Sequence, residues 1–232
     1  LVGVLDSLIG DILAALEANG LADNTLIVYT SDHGEQVGEH GLWRKQTFYE
    51  ESVRVPAVLC WPGELPAGSR CSRVISSLDV NATMLDALGA PPLPTSRGRS
   101  LLPILRADGP DGDHSNEGSS LDTATAWRDE AFSEYCTDEG CLHRMVRKGP
   151  WKLNYYHGQE PQLFNLEEDP GELRDLAANP DYRDVREELT SRVLDGWDPA
   201  EISVRLEELR CDGRILTDWG RNVQPPDRYR WD

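Results

Sequence analysis

A short apolar, β-branched run followed at once by charged residues is the feature that most constrains this chain. Residues 25–29 have the composition of a strand, and Asp32, His33 and Lys45 come soon after it. Open α/β sheets bind their ligands just beyond the carboxyl ends of such strands. The order of residues therefore predicts a metal site that handles an anion, placed at the end of a buried strand.

The residue types of this segment suit that chemistry. Asp32 and His33 can ligate one divalent cation if the backbone turns there, and Gly34 makes such a turn inexpensive. Lys45 supplies a compact positive charge that can hold a tetrahedral oxyanion against the metal. Each residue also has an ordinary structural explanation, since an Asp-His-Gly tripeptide is commonly a turn and Asp32 could cap a helix. The functional interpretation rests on their occurrence together after a strand.

The chain resembles the sulfatase family, within the alkaline-phosphatase-like superfamily of metal-dependent ester hydrolases. The resemblance is carried by residues 23–35, 38–43, 45, 47–56, 77–80, 98–101 and 162–173. It implies an alkaline-phosphatase-like α/β/α sandwich with a small antiparallel sheet-plus-helix subdomain at the C-terminus, and it implies that the chain is the C-terminal portion of the family fold. The stretch Trp197-Asp198-Pro199 is most similar to the choline-sulfatase branch.

The resemblance implies roles for four residues. Asp32 and His33 would ligate a single divalent cation, and Lys45 would bind the oxygens of a sulfate ester and act in catalysis. Calcium is the expected cation, with Mn²⁺ and Mg²⁺ as alternatives, because histidine is a less usual ligand for calcium than for manganese or zinc. His40 is close to Lys45 in sequence and is a candidate proton donor to the leaving oxygen.

One family feature is missing from the sequence. Sulfatases carry a Cys or Ser in a Cys-x-Pro-Ser-Arg context, whose side chain becomes the formylglycine nucleophile. Cys60-Trp61-Pro62 begins that pattern, but Gly63 and Glu64 follow where Ser and Arg are required. We expect Cys60 to be a buried structural thiol at the end of a core strand. We expect the formylglycine, and the paired aspartates that complete the metal site, to lie in an N-terminal part outside this chain.

Three hypotheses about function follow. In the first, the chain is a piece of a sulfatase and is inactive alone; an amphipathic helix that already runs at Leu1 favours this hypothesis. In the second, the enzyme is a phosphonate monoester or phosphodiester hydrolase of the same superfamily. In the third, the chain is a degenerate sulfatase-like protein that binds a sulfated ligand or a partner without catalysis.

Composition limits the partners. Forty-one acidic against 23 basic residues give a net charge of −18, which argues against nucleic-acid binding. The apolar runs are too short for a membrane span, and a small-molecule sulfate ester is the expected partner. The five cysteines lack the density of a disulfide scaffold, so we expect reduced thiols and slightly favour the cytoplasm.

The pattern of the chain predicts two domains. Residues 1–122 would complete the α/β catalytic domain, and residues 123–232 would form a small α+β subdomain with a tail, after a Gly- and Asp-rich linker at 106–124. In the first domain we expect strands at 25–30, 53–60 and 74–75, and a helix that Asp79 caps and that continues through Leu88.

The second domain is expected to begin with an antiparallel meander and to end with helices. The predicted strands are 131–135, 144–147, 151–156 and 163–166, and the predicted helices are 180–195 and 199–210. Trp219, Tyr229 and Trp231 lie in the tail among charged residues and prolines. Such aromatic residues can join subunits, so we predict a homo-oligomer formed through the tail.

Overall fold

The computed structural model describes residues 1–107, 127–137 and 140–223. The chain divides into two units, Leu1–Ala131 and Phe132–Asp232. Much of the predicted linker, residues 108–124, lies outside the described residues, and so do Tyr229 and Trp231 of the tail.

The first unit alternates helices with two short strands. Its elements are α1 (Val2–Ala18), β1 (Ile27–Thr30), α2 (Glu50–Val53), β2 (Ala57–Cys60), α3 (Ser77–Ala87) and α4 (Leu102–Ala107), with 3-10 turns at Ala22–Asn24 and Glu39–Gly41. The helix predicted from the apolar spacing of the first residues is therefore present. The predicted strand at 53–60 begins only at Ala57, because Glu50–Val53 forms a helical turn and Pro56 lacks the N–H of a ladder residue.

Strands β1 and β2 pair antiparallel, with Ile27 opposite Cys60 and Thr30 opposite Ala57. The prediction that β1 is a buried strand was wrong, since its residues are half-buried or exposed. The prediction of a buried Cys60 was also wrong, because that thiol is exposed. The reason is the same in both cases: burial needs a covering layer on both faces, and the described residues form a sheet of only these two strands in this unit.

The N-cap of helix α3 lies three residues before the predicted cap, Asp79. Ser76 is the N-cap, and Asp79 is the third helical residue of a capping box. The Asp79 side chain accepts hydrogen bonds from the Ser76 N–H at 2.8 Å and from the Arg99 N–H at 2.8 Å. Asp79 therefore stabilises the start of the helix and also holds a second segment against it.

The predicted strand at 74–75 does not form. The Val74 N–H donates to Asp129 Oδ1 at 2.7 Å, and the Val74 carbonyl accepts from Trp127 Nε1 at 2.8 Å. These side chains satisfy the backbone groups that a neighbouring strand would otherwise pair with.

The second unit contains the predicted meander. Its strands are β3 (Glu130–Cys136), β4 (Leu142–Lys148), β5 (Trp151–Tyr156) and β6 (Gln162–Asn165), in the order β3-β4-β5-β6, and β5 runs antiparallel to both β4 and β6. Helix α5 (Arg183–Leu194) packs on this sheet. The core that they share is apolar and is formed by Val146, Leu153, Leu163, Ala177, Leu189 and Val193.

Helix α6 (Pro199–Val223) is longer than the predicted helix at 199–210. The first half of the predicted tail is therefore helical, and Trp219 lies exposed on it. No helix among the described residues is long and apolar enough to cross a membrane.

Candidate functional site

Asp32 and His33 lie directly after β1, as predicted from their position behind the strand. Asp32 Oδ2 is 3.3 Å from His33 Nε2, and the Asp32 side chain is 82% exposed. Two ligands that bind one cation at right angles, each about 2.0–2.4 Å away, lie roughly 3 Å apart. The two donor atoms therefore have the separation of neighbouring ligands of one ion.

The hydrogen bonds of His33 indicate which of its two ring nitrogens carries the proton. Its Nδ1 lies 2.7 Å from the Gly34 carbonyl, which can only accept, so Nδ1 carries the proton. The Lys45 ammonium then donates to the lone pair on Nε2 at 2.5 Å. With Nδ1 bonded to a carbonyl, as in a metal-ligating histidine, the Nε2 lone pair that now accepts from Lys45 is the one that a cation would take.

Lys45 completes the set of charged groups at the end of β1. Desolvation raises the pKa of Asp32, but electrostatic interactions with His33 and with the Lys45 ammonium, together with hydrogen bonds from backbone N–H groups, outweigh it, and the pKa of this carboxyl falls below its ordinary value of 3.8. Asp32 is therefore ionised over the whole physiological range and is available to a cation.

His40 is placed differently from the other three predicted residues. Its ring stacks on Tyr49, with centroids 3.8 Å apart and planes 8° apart, and its Nε2 lies 3.9 Å from Glu51 Oε2. Within the described part of the chain, its side chain contacts these two residues and not Asp32, His33 or Lys45. The sequence showed only that His40 lies near Lys45 along the chain, and it did not show the contacts of His40 with Tyr49 and Glu51.

A buried polar cluster, which sequence reasoning missed, holds the loop that carries Lys45. Gln36 is fully buried, and its amide donates to Thr47 Oγ1 at 2.6 Å and to Ser52 Oγ at 3.0 Å. The Gln36 N–H also donates to the Arg44 carbonyl at 3.0 Å. These bonds join the two ends of the loop, so Lys45 is attached to a fixed frame.

Gly34 is required for a reason other than the predicted one. Its φ lies outside the left-handed region, so the turn itself does not demand glycine. A Cβ at this position would instead lie 1.8 Å from the Glu51 carbonyl oxygen, and the Gly34 N–H donates to the Ser52 carbonyl at 2.8 Å. Gly34 thus allows the end of β1 to contact the turn of α2.

The donor set fits part of a cation site. Asp32 and His33 place one carboxylate oxygen and one imidazole nitrogen 3.3 Å apart, and of these two donors the imidazole is the less usual ligand for calcium. Over residues 1–107, 127–137 and 140–223, no group of three or more His, Cys, Asp or Glu side chains is placed to hold an ion. A full coordination sphere therefore needs ligands beyond these two.

Comparisons with known proteins identify the family of this chain. The sulfatase family model matches residues 1–90. Arylsulfatase K of Danio rerio is 34% identical over 198 residues, which are 82% of this chain and 35% of that protein. Choline-sulfatase of Rhizobium meliloti is 34% identical over 183 residues, which are 77% of this chain and 32% of that protein. The chain spans about a third of the length of these relatives, and their equal identity favours neither branch of the family.

Two solved structures show the same fold. One, solved in complex with its substrate D-glucosamine-2-N,6-O-disulfate, has a TM-score of 0.70 and 30% identity, and the match covers 85% of this chain and 40% of that chain. The other, the phosphonate monoester hydrolase of Agrobacterium radiobacter, has a TM-score of 0.68 and 32% identity over 82% of this chain and 38% of that chain. The alkaline-phosphatase-like fold class predicted from the resemblance is confirmed. The chain belongs to the sulfatase family.

Proposed function

We propose that this chain forms part of an enzyme that hydrolyses a sulfate monoester to an alcohol and sulfate. The observation that carries the proposal is the convergence of Asp32 Oδ2, His33 Nε2 and Lys45 Nζ at the end of β1. One anionic donor, one neutral donor and one fixed cation are what a site needs to hold a metal and an oxyanion together. Because the chain belongs to the sulfatase family, we propose that this oxyanion is the sulfate group of the ester.

Asp32 and His33 would hold the divalent cation, with calcium as the expected ion and Mn²⁺ or Mg²⁺ as alternatives. When bound, the cation supplies positive charge that neutralises the sulfate and lowers the pKa of the attacking group. The Nδ1–H bond to the Gly34 carbonyl keeps His33 oriented as a ligand. The lowered pKa of Asp32 keeps this carboxylate charged without help from the ion.

Lys45 would bind the sulfate oxygens. Its side chain is exposed, while the loop that carries it is fixed by the buried Gln36 cluster. Negative charge on the sulfate oxygens is redistributed as the ester bond breaks, and a compact ammonium held beside them stabilises that transition state.

His40 would give a proton to the alcohol oxygen as the sulfur–oxygen bond breaks. The electrons of that bond go to the leaving oxygen, and the proton makes the leaving group a neutral alcohol. The nucleophile that forms the new bond to sulfur, expected to be a formylglycine residue, is not supplied by Cys60, because Trp61-Pro62-Gly63-Glu64 follows it instead of the required pattern. We therefore expect the 232-residue chain alone to show no turnover.

A second function is favoured by one finding. The structural similarity to a phosphonate monoester hydrolase is as close as the similarity to the sulfated-sugar complex, so the oxyanion could be a phosphonate monoester or a phosphodiester. The third hypothesis, a degenerate protein that binds a sulfated ligand, requires that the gene product carrying this chain lack the Cys-x-Pro-Ser-Arg motif throughout.

Turnover of matched substrates tests these functions. The protein that contains these residues is assayed with 4-nitrophenyl sulfate, a phenylphosphonate monoester and a bis-aryl phosphodiester. We expect kcat/KM to be highest for the sulfate ester, and a large preference for either phosphorus ester would replace the proposal with the alternative.

Substitution of the site residues tests their roles in the same assay. Asp32→Asn, His33→Ala and Lys45→Ala should each lower kcat/KM by at least about 100-fold. His157→Ala, which changes an exposed loop histidine of the second unit, should not.

Cation binding gives an independent test on the chain itself. Titration with Mn²⁺, followed by electron paramagnetic resonance, should detect binding that Asp32→Asn and His33→Ala each weaken by at least about 10-fold. Equal binding in the native chain and both variants would remove the metal role from this pair.

Two further predictions concern the whole protein. A homo-oligomer formed through the tail would dissociate when residues 224–232 are deleted, as light scattering would show.

Cysteine usage is the basis for expecting a cytoplasmic location, and cell fractionation should then recover the protein in the cytoplasmic fraction.

A further inference from the structure

His40 is held in an orientation that costs the fold energy. Its backbone has φ 53°, a conformation that non-glycine residues seldom adopt. Its side chain is only 13% exposed and lies flat on the Tyr49 ring. A strained, half-enclosed histidine of this kind is kept by the surrounding contacts, and such positions cluster where a side chain must be aimed.

Glu51 is the charged group that faces this histidine. Its Oε2 is inaccessible to solvent and has no hydrogen-bond partner among the described residues, and it lies 3.9 Å from His40 Nε2. An unsatisfied buried carboxylate oxygen is costly unless a positive or proton-bearing group offsets it. An N–H on Nε2, which at 3.9 Å is in electrostatic rather than hydrogen-bond contact with the carboxylate, is the group that this geometry provides.

The backbone of Glu51 is also fixed to the end of β1. The Glu51 carbonyl lies where a Cβ of Gly34 would be, and the next residue, Ser52, accepts the Gly34 N–H. Because Gly34 directly follows His33, the turn that carries Glu51 is tied to the two candidate metal ligands. A single rigid connection therefore relates the orientation of His40 to the position of the cation site.

We propose that Glu51 is a positioning residue for His40. The carboxylate holds the neutral imidazole in the Nε2–H tautomer. In the proton transfer, the doubly protonated ring would give its Nδ1 proton to the leaving oxygen and return to that tautomer. The role in proton exchange rests on the proposed ester hydrolysis; the control of the tautomer does not. A carboxylate that orients a histidine in this way stabilises one tautomer without touching the substrate.

The tautomer is measured by nitrogen NMR on the 232-residue chain, labelled with ¹⁵N in its histidine rings and kept at a pH where imidazoles are neutral. His40→Asn identifies the His40 signals. We expect native His40 to show a protonated Nε2, and Glu51→Gln to shift the ring toward the Nδ1–H form. Glu51→Asp should retain the native tautomer in part. Glu39→Gln, an exposed acidic neighbour of His40, is the matched control and should change nothing.

Kinetics then test the link to catalysis in the protein that contains this chain. Glu51→Gln should lower kcat by at least about 10-fold with KM little changed, and the double variant with His40→Ala should be no slower than His40→Ala alone. An unchanged His40 tautomer in both Glu51→Gln and Glu51→Asp would overturn the positioning role. If the native protein hydrolyses no sulfate ester, the proposed function fails, while the NMR result still decides the role of Glu51.

Discussion

Two lysines of this molecule have partners at nearly the same distance but lie in opposite environments. Lys45 Nζ is 2.5 Å from His33 Nε2, beside an Asp32 side chain that is 82% exposed. Lys152 Nζ is 2.7 Å from Glu172 Oε1, and those side chains are 0% and 1% exposed. In water the first lysine can exchange its partner for a ligand at little cost, whereas the second is enclosed with its counter-charge and cannot. We therefore expect the charge of Lys45 to be available for a ligand, whereas the charge of Lys152 is enclosed with Glu172 in the second unit.

The strongest test of this contrast is to break the buried pair. Lys152→Met leaves the Glu172 carboxylate buried without its counter-charge, and we expect the free energy of unfolding to fall by about 3–5 kcal/mol. The measurement is urea unfolding, with amide hydrogen exchange of β5 and β6 as the local report.

The double variant Lys152→Met/Glu172→Leu is the control for this prediction. It removes both charges and should recover much of the lost stability, because no uncompensated ion remains. If Lys152→Met alone unfolded like the native chain, the buried pair would have no structural role, and the contrast between the two lysines would be wrong.

Two glycines extend the comparison from side chains to backbone contacts. Gly34→Ala places a Cβ 1.8 Å from the Glu51 carbonyl oxygen, whereas Gly171→Ala, in the second unit, meets only Leu173 Cγ at 3.7 Å. We expect Gly34→Ala to cost about 1–3 kcal/mol of unfolding free energy and Gly171→Ala less than about 0.5 kcal/mol. Thermal unfolding of the two variants side by side measures the difference. Equal stability would show that the end of β1 can move away from α2 freely.

A partly buried histidine of the second unit, His143, makes the stability of the chain depend on pH. Burial lowers the pKa of His143, on β4, below its ordinary 6.5. The unfolded chain therefore takes up this proton more readily than the folded one, so the stabilisation that His143 gives is complete above about pH 6.5 and is lost as the pH falls below it.

His143→Gln should reduce the fall in unfolding free energy between neutral and mildly acidic pH, as urea unfolding at a series of pH values would show. His157→Gln, at an exposed position of the same unit, is the control and should leave that slope unchanged. A slope that His143→Gln does not reduce would contradict the assigned shift.

The parts of the fold that could be predicted are those set by neighbours in sequence. Helical spacing of apolar residues predicted α1, and alternation between turns predicted the β4–β5–β6 meander, because both patterns are local. Asp32, His33 and Lys45 were identified for the same reason, since one strand end and one loop carry all three. The residue that caps α3 was misassigned by three positions because both members of a capping box, Ser76 and Asp79, satisfy the same sequence rule.

The parts that could not be predicted depend on contacts between distant segments. A glutamine such as Gln36 is usually expected at the surface. Its burial depends on Thr47 and Ser52, which lie close enough to accept hydrogen bonds from its amide. Nothing in the sequence pairs Lys152 with Glu172 or directs Glu51 toward His40. The exposure of Cys60 was missed because an apolar strand shows that a covering layer is needed, but does not show which residues provide it.

The smallest expected change in unfolding free energy, that of Lys45→Met, tests the contrast between the two lysines most directly. Lys45→Met removes a charge as surely as Lys152→Met does, yet we expect it to change the unfolding free energy by less than about 0.5 kcal/mol, because water already solvates its partners. The same variant should abolish binding of the oxyanion. Urea unfolding compares the two methionine variants directly. A loss of stability in Lys45→Met close to that of Lys152→Met would mean that Lys45 holds the loop together, and its contact with His33 would then be structural rather than a charge kept available for a ligand.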